Sequence, residues 1–530
     1  MKKFAFVTAL TVCAVALISL APAQDMTKKI LPTARLQVPA AVERTPEQMD
    51  AFEATAVMPG KAEVPFRPTM DAARYAQLKQ MASLAPRSSR PGAGATSPSP
   101  LVSVPLAFSA ATECDDSLTG FGCWLPPDVA GAIGKTQFVS VSNNMFEVRD
   151  RTGLLLKSKS LNGLFGYTKK PMFDPRVQYD ERWQRWVITA PAFPESSTVQ
   201  ILGIAVSKTG SATGAFWVYK VNVMGIGGAG AFYDYPMLGI SQDAVQFTAN
   251  IFGAVSFEGS SLFSLAKATI YNGFGFSAPV FTGLDATLEP SHQVLGDDNP
   301  DVWLAAAPGG SSTIEMYYMT NASSPFHQGL GGPFAVTGVS AYGFPPAAAQ
   351  PASCAPAGAN LDTLDNRFQN AGTQNGDTYY QVHTTGDFGF PTPRYYIISG
   401  LLSHAPAVSV QNDIFATSSS YDFNPSIATD SFGNFAINWS VTDPTNGTLA
   451  SVHVTDNNGG NPVNATGINV FTSASCYNGV ATNRWGDYSQ TSADPGTGAI
   501  SSYGNGLFWI DNETIPSANF WSTEVAKVVF

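Results

Sequence analysis

Residues 174–180, Asp174-Pro175-Arg176-Val177-Gln178-Tyr179-Asp180, turn through Glu181 to Arg185 into the apolar run Trp186-Val187-Ile188-Thr189-Ala190. Residues 424–430, Asn424-Pro425-Ser426-Ile427-Ala428-Thr429-Asp430, turn through Ser431-Phe432-Gly433-Asn434 into Phe435-Ala436-Ile437-Asn438-Trp439. Each is a β-branched and aromatic run, a turn of polar residues and a second such run, the composition of a hairpin. The two are one hairpin written twice.

Weaker copies start at Asp128 (129–134, then 138–142), Asp234 (235–241, then 245–251), Glu289 (290–296, then 302–307), Asp365 (366–371, then 378–383) and Asp487 (488–493, then 499–503). The starts recur roughly every 60 residues, which is long for a helical repeat and suits one four-stranded sheet with generous loops. The runs 200–206, 216–223 and 312–319 supply outer strands. Small repeated sheets cannot cover both faces alone, so they pack as wedges about an axis, which also removes long exposed edges. The expected fold class is therefore all-β, a β-propeller of about seven blades. The uneven spacing leaves six or eight open, and paired sandwiches are the rival architecture. The last copy is short of a full blade; the apolar strand 101–108, beside the terminal run 524–530, is expected to complete it.

Upstream, Lys2 and Lys3 precede an apolar run over 4–20 and the small-x-small pattern Ala21-Pro22-Ala23, which reads as a signal peptide over residues 1–23. Cys13 lies inside the apolar run, so a lipid anchor is the lesser reading. Residues 24–100 are expected to be a flexible leader or pro-segment with helix-like stretches at 45–54 and 70–84, and the propeller to span 101–530. The Arg, Ser, Pro and Gly of 87–94 bury little apolar surface. No later run approaches the roughly 18 apolar residues of a spanning helix, so a secreted, periplasmic or cell-surface location without a transmembrane segment is expected. The chain of 530 residues has a formal charge of −11, and loss of Lys2 and Lys3 makes it more negative by two. An acidic surface argues against nucleic acid as a partner. Cys114, Cys123, Cys354 and Cys476 remain. The expected disulfides are Cys114 with Cys123, across a short loop containing Gly120 and Gly122, and Cys354 with Cys476. No Cys-x-x-Cys spacing supports a metal site.

Asp128-Val129-Ala130-Gly131-Ala132-Ile133-Gly134, Asp174-Pro175-Arg176-Val177, Leu364-Asp365-Asn366-Arg367, Asn424-Pro425-Ser426-Ile427 and Arg484-Trp485-Gly486-Asp487-Tyr488-Ser489 resemble large, mostly uncharacterised secreted bacterial proteins with propeller-like repeats. The resemblance covers about residues 120–528. It implies export and the repeat architecture and carries no activity or catalytic residue with it. Sialidase-like propellers look similar in outline; their Asp-box, Ser-x-Asp-x-Gly-x-Thr-Trp, is approached by Asp430-Ser431-Phe432-Gly433-Asn434 but not matched.

In a propeller the first strand of each blade lines the channel, so the opening residues converge at one mouth. Asp174, Arg176, Asp234, Tyr235, His292, Asp365, Arg367, Arg484, Asp487 and Tyr488 are the ligand-binding candidates, able to hold a sugar or small anion by charge-assisted hydrogen bonds. The plainer reading is that the repeated acidic position ties neighbouring strands or caps turns. Asp174, Asp234, Asp365 and Asp487 are also candidate carboxylates for glycoside hydrolysis, with Tyr488 as an alternative nucleophile. Neither Gly-x-Ser-x-Gly nor His-Glu-x-x-His occurs, and His292 and His383 read as packed histidines. Asp297-Asp298-Asn299 with Asp301, and Asp430 with Asn434, leave calcium open as a cofactor, against the simpler reading of Asx turns. Trp183, Trp217 and Trp521 are candidates for stacking on sugars. The expected function is an extracellular binding or interaction propeller for a carbohydrate or protein ligand. A glycoside hydrolase and a cell-envelope scaffold are the alternatives, so whether the chain is an enzyme stays open, as does its oligomeric state.

Overall fold

The computed structural model describes residues 28–55, 62–88, 90, 102–115, 123–143, 145–354, 360–457, 465–478, 483–496 and 506–529. The proposed signal peptide, Cys13, the greater part of 87–101, Gly120, Gly122 and the run 499–503 lie outside them. The two deciding hairpins form as written. Arg176–Asp180 pairs antiparallel with Arg185–Pro191, setting Tyr179 opposite Trp186 with ring centroids 4.7 Å apart. Tyr421–Thr429 pairs with Phe435–Asp443, and Ile427 faces Ile437. Each hairpin grows outward by two further antiparallel strands: Ile201–Ser207 and Phe216–Asn222 in one, Thr448–Asn457 and Ile468–Thr472 in the other.

Sheets of this kind follow one another around an axis. Ala130–Ile133 packs against Arg176–Asp180 on one side and Gln490–Ala493 on the other, so the innermost strands close a ring. Every residue of Ala244–Phe252 and of Tyr421–Thr429 is buried, because both faces of those strands are covered by adjacent sheets. The seam between the last and first sheets is apolar, with Trp509 and Val525 against Ile133 and Phe138. The last sheet takes its fourth strand from far upstream: Ser103–Thr112 pairs antiparallel with Phe520–Val529, which pairs with Leu507–Ser517. The expected run thus closes the ring, through Ser103–Thr112, and Gln490–Ala493 pairs with Leu507–Ser517.

The result is an all-β propeller arrangement in which five blades of four or five strands stand as separate sheets; the count of seven expected from the repeat starts is not met. Among the described residues the remaining strands form one ten-stranded sheet and one two-stranded sheet. Glu289–Pro290 stays with Val302–Ala306, and the Ser291 N–H still donates to the Trp303 carbonyl oxygen at 3.1 Å. His292–Gln293 crosses instead to pair parallel with Ile240 and with Thr373–Gln374.

Over its described residues the leader is docked on the propeller. Lys29–Ile30, Ala34–Val38 and Val42–Arg44 add outer strands to three successive sheets, on Gly329–Ala335, Phe276–Leu284 and Phe216–Asn222. Pro46–Glu53 begins with a capping box between Thr45 and Gln48, and Met49 from it is fully buried. The helix Ala72–Leu84, capped by Asp71, rests on the propeller through Tyr75 against Phe344 and through Lys79, which donates to Thr363 Oγ1 at 2.9 Å. Polar composition underestimates this docking because the arm borrows its apolar partners from the sheets. Both expected disulfides, Cys114 with Cys123 and Cys354 with Cys476, are present.

Candidate functional site

The ring has two mouths. Inner strands run in one direction, so the residues that precede them gather at one end and those that follow gather at the other.

At the first end, four residues are held at positive φ: Asp128 and Asp174, each two residues before an inner strand, at 46°, and Tyr235 and Asn424, inside Phe232–Ile240 and Tyr421–Thr429, at 53° and 52°. Asp and Asn tolerate that left-handed backbone better than most residues. Their side chains then tie one blade to the next. Asp128 accepts from the Asp487 backbone N–H at 2.7 Å and from Asn143 Nδ2 at 2.6 Å. Asn143 Oδ1 accepts from the Asp174 N–H at 2.7 Å, and Asp174 Oδ2 accepts from the Tyr235 N–H at 3.2 Å. Arg176 donates to the Pro236 and Gln369 carbonyl oxygens and to Asn370 Oδ1, and its guanidinium lies 3.2 Å over the Tyr488 ring. Arg367 grips Asp365 with two bonds of 2.7 Å, and Arg484 pairs with Asp487.

Nine of the ten candidates therefore meet here, and all nine are buried. Burial pushes Asp128 up to about 7, with Asp487 adding to it, and Asp234 up to about 6 against the pull of Arg67. Asp174 is driven well above the carboxylate range by burial and by Asp234. At Asp365 burial acts upward, but the Arg367 fork outweighs it and holds the carboxyl below its ordinary range. Tyr488 donates to the Pro175 carbonyl oxygen at 3.0 Å and is raised by burial, so neither geometry nor ionisation suits it to nucleophilic attack. Sequence reading missed Asn143, the amide linking two neighbouring blades, and Glu513, a buried carboxyl raised by burial and by Asp128. No repeat start marks either.

At the second end lies an open cleft. Gln178, Glu181, His292, Asp430, Gln490 and Asp494 line it with hydroxyls of Thr429, Ser431 and Ser492. His292 is the one candidate placed here; its Nδ1 has no hydrogen-bond partner among the described residues, and burial lowers it to about 4, leaving the ring neutral. Glu181 is pushed up to about 8 by burial and by Asp180, Asp494 and Asp430. Two of those carboxylates hold turns. Asp430 accepts from the Phe432 and Asn434 N–H groups, and Asp494 accepts from the Gly496 N–H and from Trp509 Nε1. A repeated Asp at the end of the inner strand was the readable signal for this mouth. Asp297 and Asn299 likewise accept from N–H groups two residues on, and Asp301 pairs with His404. Trp183 is 48% exposed, whereas Trp521 is buried and donates to the Trp124 carbonyl oxygen, which removes it from the sugar-stacking candidates. His383 is packed, bonded to the Asn366 carbonyl oxygen and the Tyr396 hydroxyl.

No family model and no curated protein matches the chain. Among solved structures, exo-beta-1,3-galactanase from Phanerochaete chrysosporium with galactose is 12% identical, over 81% of this chain and 99% of that one, with a TM-score of 0.32. A protein of unknown function from Dyadobacter fermentans DSM 18053 is 7% identical over 68% and 95%, at 0.37. Trypanosoma rangeli sialidase is 10% identical over 71% and 56%, at 0.35. Likeness of this order carries no argument about activity or ligand.

Proposed function

We propose that the chain is an exported binding propeller whose open mouth takes a neutral carbohydrate. The supporting observation is the second cleft, where Gln178, Gln490, Thr429, Ser431 and Ser492 offer directed donors and acceptors around a polar floor. Amides and hydroxyls suit a polyol. Asp430 and Asp494 beside them disfavour an anionic sugar. Two disulfides and the leader fit an oxidising compartment. The ten-stranded sheet acts, in this reading, as two wedges joined by the parallel bridge at His292–Gln293, giving seven in all. A glycan array followed by calorimetric titration tests the ligand: a neutral glycan binds, and Q178A weakens it about tenfold, as loss of one or two well-placed hydrogen bonds requires. Silence across neutral glycans overturns the reading.

Hydrolysis keeps one observation in its favour, a Glu181 carboxyl protonated near neutral pH in an open cleft, the state a general acid needs. The turn-capping bonds of Asp430 and Asp494 weigh against a second catalytic carboxylate. Turnover on a panel of chromogenic glycosides that is lost in E181Q would replace binding with hydrolysis.

A further inference from the structure

The first mouth is covered by part of the chain itself, and the cover is seated as a bound peptide would be. Ala62–Glu63 adds parallel to Trp124–Leu125, and the Val64 N–H donates to the Leu125 carbonyl oxygen at 2.9 Å. Val64 is buried in an aromatic pocket of Trp124, Phe173, Phe232 and Phe252. Its carbonyl oxygen accepts from Arg484 Nη1 at 3.0 Å. Phe66 leans on the Arg484 guanidinium and packs on Tyr75, with ring centroids 5.0 Å apart. Arg67 stacks 3.7 Å over the Phe232 ring and reaches Asp234 Oδ2 at 3.7 Å.

Main-chain addition, an apolar anchor in an aromatic pocket and a charge pair at the rim are the ingredients of peptide recognition. The seating is incomplete. The gap between the strap and its floor of Asp234, Tyr235, Arg367 and Asp487 is about 10 Å3, room for one water molecule, so the strap is open to solvent at its rim rather than beneath. Pro65 is exposed, and Arg67 keeps 30% of its side-chain surface in solvent.

We infer that this mouth is a peptide-recognition cleft, and that residues 62–67 are its tethered occupant, exchangeable for an extended segment of another chain that carries an apolar residue, proline, an aromatic residue and arginine in that order. The inference is independent of the carbohydrate reading, which concerns the opposite mouth.

The test uses the full chain and a fluorescent synthetic peptide of residues 62–69. A tethered occupant competes at an effective concentration on the order of millimolar. The wild-type chain should therefore bind the peptide at least about tenfold more weakly than a V64D/R67A chain, in which the strap loses its anchor and its charge. Adding D234N to that variant should weaken the peptide again. Equal binding by wild type and variant, or no binding by a variant whose propeller amides remain protected from exchange, overturns the inference. Should the variant fail to fold, the wild-type chain decides alone: about 10 mM peptide should speed hydrogen exchange at the Val64, Phe66 and Arg67 amides by mass action, and unchanged exchange there overturns it.

Discussion

Arg367 directs Nε and Nη2 to the two oxygens of Asp365, two residues upstream, and both side chains are excluded from solvent. A buried fork of this kind adds little over a well-packed apolar pair, but removing one partner strands a charge and costs about 3–5 kcal/mol. R367M should lower the unfolding free energy by an amount in that range, and D365L/R367M should recover much of the loss. A loss below about 1 kcal/mol in R367M would mean that water reaches Asp365. At the other mouth, Glu181 has a carboxyl near 8 in the folded chain against 4.5 for the free side chain. Between those values the folded chain holds a proton that the unfolded chain has released, so stability falls as pH rises through the window and levels off above it. E181Q should match wild type at pH 4 and exceed it at pH 8. The two curves diverge by at most about 1.4 kcal/mol per pH unit, less where solvent screens the group. Melting curves that run parallel from pH 4 to pH 9 would place Glu181 in water.

The N-terminal arm is held by edges rather than by a core of its own. Ala34–Val38 pairs with Phe276–Leu284 in register from Ala34 opposite Val280 to Val38 opposite Phe276, and Leu36 packs against the cluster that contains Tyr219 and Ile270. L36D should free this strand alone, because short outer strands open locally at low cost. Amide exchange should rise over 34–38 while Ala244–Phe252, three strands inward, stays protected; matching increases in both would make the arm part of the global fold. The arm also marks where sequence reading ends. Its helices were legible as helix-like stretches at 45–54 and 70–84, and they form at Pro46–Glu53 and Ala72–Leu84. Its strands, two to five residues long with exposed and polar positions, have no period of their own and acquire one only beside a distant sheet. Pro290 likewise sits in a visible repeat copy, yet nothing local states that His292 will pair across to Thr373. The candidate cluster was legible because repeat starts must converge; its closure was not, because the strap that seals it belongs to the segment with the weakest sequence signal.

At the scale of the whole ring, two devices restrain opening: the upstream strand Ser103–Thr112 in the last sheet, and the bond from Cys354 to Cys476. Cys354 lies in the long connection between Gly329–Ala335 and Thr373–Asn375, and Cys476 precedes the last sheet. Beside the bond, Gln350 donates to the Tyr477 carbonyl oxygen at 2.7 Å and accepts from the Tyr477 N–H at 3.0 Å, so the two segments are joined covalently and by a bidentate amide contact. The bond spans 122 residues, while Cys114 and Cys123 are nine apart. If chain entropy in the unfolded state governs, the long loop contributes about 5 kcal/mol and the short one about 2.5 kcal/mol. C354A/C476A should therefore melt lower than C114A/C123A, with wild type above both, when all three are scanned at one heating rate. The reverse order would mean that the short bond restrains something the loop lengths do not capture, namely the end of the closing strand, and that ring closure at Ser103–Thr112 limits the stability of the whole propeller.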